Sequence, residues 1–265
     1  MDDLPDNLGV LPFGNRIVRV IQKDKSSKRV FIIGVYGSTI KANFISKKLK
    51  TKIRFLPVDN EPEPFWSGNN QDAQTIISKI KIPKDLGELN VEPGNSNGML
   101  GRTLDKYYLS PLKLKREDVW LCNLIPHLIV NKKERKALKN YNKYHTELDL
   151  PKAEIPVKSD KWNFFTRKRR REVIEEIFKS RAEIIVTLGQ QPLKWFINEF
   201  KPNAYKLLNA EDYGMIKDFN LEAVKLKLVP LFHPKQILKH WDSKSNIGLI
   251  HYDWMKNKAK TLLKK

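Results

Sequence analysis

The segment Lys227-Leu-Val-Pro-Leu-Phe-His233-Pro234 is an apolar run of strand character that ends on an imidazole and is locked by a proline. A buried strand that delivers His233 to the rim of a sheet is a natural way to build an active site, because the ring can donate or accept a proton near neutral pH. Alone, the motif also suits a satisfied structural histidine, so the neighbouring elements must decide. Three other apolar runs, Val30-Phe-Ile-Ile-Gly34, Val119-Trp-Leu-Cys-Asn123 and Glu183-Ile-Ile-Val-Thr-Leu-Gly189, likewise end in polar or glycine-bearing loops. Four strands opening at one place imply one site.

Helical patterns separate these strands. A helix is expected at about 101–110, and another over 166–180 with Val173, Ile174, Ile177 and Phe178 on one face. Gly189-Gln-Gln-Pro192 puts a proline in a first helical turn, with Leu193, Phe196, Ile197 and Phe200 as its buried stripe. A terminal helix at about 245–262 turns Ile247, Ile250 and Trp254 inward. Alternation of strand and helix implies a three-layer α/β/α sandwich around a central four-stranded parallel sheet. Residues 1–265 read as a single domain, with an edge strand at 15–22 and inserted loops at about 45–100, which include a short extended piece Lys52-Ile-Arg-Phe-Leu-Pro57, and at 131–163.

Fifty Lys and Arg against thirty Asp and Glu give the 265-residue chain a net charge of +20, which favours a polyanionic partner, nucleic acid first among them. The single cysteine, Cys122, lies in a buried strand, which leaves no internal disulfide and no four-cysteine metal site. No apolar run reaches membrane-spanning length, and the start is acidic, with Asp2, Asp3 and Asp6. A cytoplasmic protein, associated with a nucleoid or nucleus rather than secreted, is expected, with a monomer as the default. The run Arg167-Lys-Arg-Arg-Arg171 opposes the dipole of the helix it opens and therefore suggests an anionic partner, with a solvated charge run as the other reading.

In this order the strand ends resemble the uracil-DNA glycosylase superfamily, over roughly residues 29–124 and 180–262. The resemblance makes Gly34-Val-Tyr-Gly-Ser38 the water-activating loop, Pro64-Phe65 the ring that stacks on an extruded base, Asn123 the base-reading amide and His233-Pro234 the motif after the last strand. Tyr36 stands where familiar members hold Asp, Glu or Asn, and Lys235 stands where a serine usually follows. The Gly-x-Tyr-x-Ser loop and the Asp59-Asn-Glu-Pro62 element resemble a less familiar branch, which makes Asp59 and Glu61 replacements for the missing carboxylate.

The resemblance implies a monofunctional DNA glycosylase that hydrolyses the bond between deoxyribose and a flipped-out uracil or modified pyrimidine, with neither metal nor cofactor. His233 would stabilise the departing base, while Glu61, ahead of Asp59, would orient water, with Tyr36 positioning it. Phe65, helped by Trp66 or Tyr36, would stack on the base, with Gly34 and Ser38 in the pocket wall and Asn123 reading the base edge. Lys235, Arg102, Arg169 and Arg170 would meet phosphates of single- or double-stranded DNA, and Ile237 would fill the space the base leaves. His127, after Pro126, would line the same rim. Two other readings stand beside this one. A catalytically silent nucleic-acid-binding protein that keeps the fold is favoured by Tyr36, and a hydrolase of small nucleotides is disfavoured by the charge.

Overall fold

The computed structural model describes residues 7–155, 165–200, 213–241 and 245–263. The acidic residues Asp2, Asp3 and Asp6 and the last part of segment 131–163 lie outside them. In chain order the strands are β1 (Asn7–Val10), β2 (Arg16–Val18), β3 (Val30–Gly37), β4 (Thr39–Ser46), β5 (Thr51–Asn60), β6 (Gly87–Val91), β7 (Val119–Leu128), β8 (Ile184–Leu188), β9 (Lys217–Leu221) and β10 (Val224–Leu231). The helices are α1 (Asn70–Ile77), α2 (Met99–Leu104), α3 (Lys132–Tyr144), α4 (Arg167–Ser180), α5 (Gln190–Pro192), α6 (Asn198–Phe200), α7 (Pro234–His240) and α8 (Asn246–Asp253). Wide helical turns extend α2 over Asp105–Leu109, join α5 to α6 over Leu193–Ile197 and extend α8 over Trp254–Lys258.

The chain packs as two compact units. One, comprising Ile21–Val35, Arg102–Leu124 and Arg167–Lys265, holds a mainly parallel five-stranded sheet in the order β7-β3-β8-β10-β9, flanked by helices. The four strands expected from the sequence are all in it. Strands β3 and β10 run parallel to β8, with Val30 level with Ile184 and Lys227, and the antiparallel β9 adds an edge. Strand β8 is buried throughout and β7 is apolar on both faces, the signature of a sheet covered on both sides. Helix α4 buries Val173 and Ile177, but Phe178 is exposed, which narrows the face read from the sequence. Leu193, Phe196 and Ile197 are buried after Pro192 as the periodicity implies, and Trp254 is fully buried.

The other unit, Met1–Val20, Tyr36–Gly101 and Ile125–Thr166, is built differently. A three-stranded antiparallel sheet in the order β5-β4-β6 packs with α1 and α3 around Ile40, Phe44, Leu56, Val58, Leu138 and Tyr141. This corrects the expected loop at 45–100, of which only the expected extended piece at 52–57 agrees, lying inside β5. Its strands hide because β4 buries polar Thr39, Asn43 and Ser46 among its apolar residues, and because β6 pairs with a partner far away in sequence. The expected edge strand at 15–22 shortens to β2, paired with β1 in a sheet of its own. Asn60 fastens it: its Nδ2 donates to the Arg16 carbonyl at 2.8 Å and its Oδ1 accepts from Val18 N at 3.2 Å. Segment 131–163 opens on α3, whose Asn131 cap and Glu134 form a reciprocal capping box.

Candidate active site

In the five-stranded unit the strand ends converge as the sequence implies. Ile33 of β3 pairs with Thr187 of β8, which pairs with Pro230 of β10, so Gly34, Gly189 and His233 follow at one rim. Gly189 has φ +93°, and its amide donates to the Leu231 carbonyl at 2.7 Å. A Cβ there would come within 3.2 Å of the His233 Cβ, so a glycine keeps this rim open.

His233 caps α7. Its backbone N–H donates to Gln236 Oε1 at 3.1 Å, and its Nδ1 accepts the backbone N–H of Lys235 at 3.2 Å. A backbone N–H can only donate, so Nδ1 presents its lone pair and the ring proton of the neutral imidazole sits on Nε2. Burial, with the Lys235 charge adding to it, lowers the His233 pKa to about 4, so at neutral pH the ring is an uncharged Nε2–H donor.

The residue before it is held by a cage that sequence reasoning missed. Tyr108 Oη donates to the Phe232 carbonyl at 2.7 Å, and the Tyr213 ring stacks on Phe232 with centroids 4.2 Å apart. Tyr213 Oη lies 2.5 Å from His251 Nδ1, and His251 Nε2 lies 3.1 Å from the Tyr107 carbonyl. A carbonyl only accepts, so His251 carries its proton on Nε2 and its Nδ1 accepts a hydrogen bond from the Tyr213 hydroxyl. Burial lowers the His251 pKa to about 4, which keeps this arrangement. No local signal marks it, because the partners come from α2, the Tyr213 turn and α8.

Asn123 lies in β7, next to β3 in the sheet order, and is 3 % exposed. Among the described residues its Oδ1 has no hydrogen-bond partner, a costly state for a buried amide and one that a ligand donor would relieve. Beneath it lies Arg169. The sequence reading sent this arginine to DNA phosphates, but it is 4 % exposed and fully engaged inside the unit. Its Nη2 donates to the Asn123 carbonyl at 2.9 Å and to Cys122 Sγ at 3.2 Å, and its Nε donates to the Leu124 carbonyl at 3.2 Å. Its Nη1 pairs with Glu172 at 3.1 Å and with Glu176 at 2.7 Å, and Glu176 also accepts Trp120 Nε1 at 3.0 Å. The anionic partners of this arginine are the protein's own carboxylates. Arg170, partly exposed, pairs with Glu199.

Ile237 is fully buried in α7 and belongs to the core, which corrects its expected place as a wedge in DNA. Lys235 is exposed beside His233, and Arg102 is partly buried in α2.

In the antiparallel unit, the Tyr36 loop and the acidic element come together. Ile40 pairs with Asp59 and Thr39 with Asn60, and the Glu61 N–H reaches the Ser38 carbonyl at 3.5 Å. Burial raises the Asp59 carboxyl above its usual range, opposed by hydrogen bonds from the Asn60 backbone and side chain. Glu61 is buried at 7 % exposure. Burial, then the Glu134 charge, raises the Tyr36 phenol, which stays protonated at neutral pH. Phe65 is buried with φ +53°, a conformation that a bulky residue adopts only when its surroundings enforce it. Gly101 is part of that enforcement, since a Cβ there would fall 2.1 Å from the Phe65 carbonyl oxygen and 2.2 Å from that of Trp66. Trp66 itself is part of the hydrophobic core, which corrects its expected stacking role. His127 is buried in β7.

No group of three or more His, Cys, Asp or Glu side chains among the described residues is placed to hold a metal ion. No helix among them is long and apolar enough to cross a membrane.

No curated protein matches the sequence. Residues 87–260 match the Uracil DNA glycosylase superfamily, a span that takes in Asn123, the strand β8 and His233 but begins after the Tyr36 loop, Asp59, Glu61 and Phe65. With more than half of the chain matched and its parallel sheet ordered around these same strand ends, the protein belongs to the Uracil DNA glycosylase superfamily.

Proposed function

We propose that this protein is a monofunctional DNA glycosylase that releases uracil or a modified pyrimidine from DNA after flipping the nucleotide out of the stack. The observation that carries the reading is the fixed tautomer of His233, neutral at physiological pH with Nε2–H available. As the bond between C1′ and the base nitrogen breaks, negative charge grows on the base oxygens and positive charge on the sugar. An uncharged donor held in place stabilises that oxygen without giving up its proton, in the manner of an oxyanion hole. Asn123, with its unpartnered buried Oδ1, reads the base edge, accepting a ring N–H and donating from its amide nitrogen. Asp59 and Glu61 take the role of the absent first-loop carboxylate, orienting the attacking water and offsetting the sugar cation, while Phe65 stacks on the base. Lys235 and Arg102 meet phosphates. The place of work is the cytoplasm or the compartment that holds the DNA.

A silent binder that keeps the fold is the second reading, favoured by Tyr36, whose protonated phenol cannot accept a proton from water. Purified protein incubated with single- and double-stranded oligonucleotides bearing uracil, hypoxanthine, thymine mismatches and substituted cytosines, followed by alkaline cleavage, separates the two. Strand breaks at one modified base support the glycosylase and name its substrate. Tight, salt-dependent binding without release at any of them supports the binder.

A further inference from the structure

Helix α3 carries Lys132, Lys136, Lys139 and Lys143 at steps of four, three and four residues, all exposed. That spacing keeps them on one stripe, and at 1.5 Å per residue the stripe extends about 16 Å along the axis. The opposite face buries Glu134, Ala137, Leu138 and Tyr141. Among the described residues, none of the four lysines has an ion-pair partner. The helix's one glutamate, Glu134, is turned inward to Thr39, Lys41 and its own cap. Past the C-terminal end of the helix Lys48 Nζ donates to the Glu147 carbonyl at 2.6 Å, which brings the lysine-bearing turn between β4 and β5, with exposed Lys47, Lys48 and Lys50, next to the residues that follow α3.

Like charges at this spacing repel, and Lys132 in the first turn opposes the helix dipole, so apart from Lys143, which favours the dipole from the last turn, the stripe does not help α3 to fold. A polyanion with regularly spaced charges removes both penalties. Each DNA strand offers a phosphate about every 3.4 Å along the axis, so the stripe spans several of them. We infer that the lysine stripe of α3, continued by Lys48, is a nucleic-acid backbone contact separate from the base-reading residues, one that supplies sequence-independent affinity. The choice of nucleic acid rests on the glycosylase reading above, whereas the stripe itself does not.

The test is the salt dependence of binding by the full chain to an undamaged 30-base-pair duplex. The variant K132Q/K136Q/K139Q/K143Q is compared with wild type and with a charge-matched control, K179Q/K225Q/K256Q/K260Q, which changes exposed lysines elsewhere. Loss of four phosphate contacts lowers the slope of log K against log salt by about 3 to 4 in the α3 variant, with little change in the control. An unchanged slope, or an equal drop in both variants, overturns the inference. So does an unchanged slope accompanied by lost binding to phosphatidylserine vesicles, which would make the partner a membrane surface. Single-turnover base release with enzyme in saturating excess is measured on the same proteins. A drop in slope in a protein that releases no base from any substrate leaves the stripe standing and removes the glycosylase reading.

Discussion

Helix α4 opens on Arg167-Lys-Arg-Arg-Arg171 and α3 on Lys132-Lys133, yet the two basic runs end up in opposite situations. In α4, Arg169 turns inward to two carboxylates, two backbone carbonyls and a thiol, and Arg170 pairs with Glu199. In α3 the lysines of the exposed stripe meet no carboxylate among the described residues. Both helices carry basic residues in their first turns, but α3 sets only Glu134 of its cap against them, whereas in α4 Arg169 and Arg170 are themselves paired with carboxylates. The residue types fit this division. A planar guanidinium with five donors can satisfy several buried acceptors at once, whereas an ammonium on a flexible stem suits a hydrated phosphate. A basic run is therefore a guide to nucleic acid only where its charges remain unspent after folding.

The sharpest break of this contrast is Arg169→Met, which strands Glu172, Glu176 and two carbonyls of β7. We expect a loss of about 3–5 kcal/mol in urea unfolding. Glu176→Gln is milder, because Glu172 stays on the guanidinium and the amide can still accept from Trp120. About 1–3 kcal/mol is expected from the same measurement. Arg170→Ala removes a pair that water already screens, since Glu199 is 38 % exposed, and the expected cost is below about 1 kcal/mol. The fourfold lysine-to-glutamine variant of α3 should leave the unfolding midpoint nearly unchanged, since it relieves repulsion, breaks no ion pair and removes only the contact of Lys143 with the Tyr144 ring. A destabilisation comparable to that of Arg169→Met would erase the distinction between the two helices.

The strands β3, β7 and β8 were legible because burial on both faces writes a continuous apolar run, β10 because its last four residues, 228–231, are buried in the same way, and the helix after Gly189 because Pro192 marks its first turn. His233 was legible for the same reason: it ends such a run. The antiparallel sheet was not, since β4 hides buried Thr39, Asn43 and Ser46 in what looks like loop sequence, and its pairing with β6 is a tertiary event. Arg169 was misread because composition counts charge and cannot tell which way a side chain turns on a helix. Ile237 and Trp66 were misread because an apolar residue beside a site has the same sequence signature whether it faces the ligand or the core. The Tyr108, Tyr213 and His251 cage has no sequence signature at all, because its members meet only once the chain has folded.

The most direct measurement is the pH dependence of single-turnover base release by wild type and by His233→Ala, on the substrate that the oligonucleotide panel identifies. Because the folded-state pKa of His233 is lowered to about 4, the neutral Nε2–H donor is present throughout the range from pH 8 to pH 5. The wild-type rate should therefore not climb as pH falls through 6.5 and should decline on the acid side, where protonation of the Asp59 carboxyl, raised by burial, and of His233 act in the same direction. The variant should be slower by about 10²–10³-fold, the usual loss for one preorganised donor to a developing anion. A wild-type rate that climbs as pH falls through 6.5 would mean that the charged imidazolium is the working form, and a His233→Ala rate equal to wild type would remove the histidine from the chemistry. Either result would contradict the account.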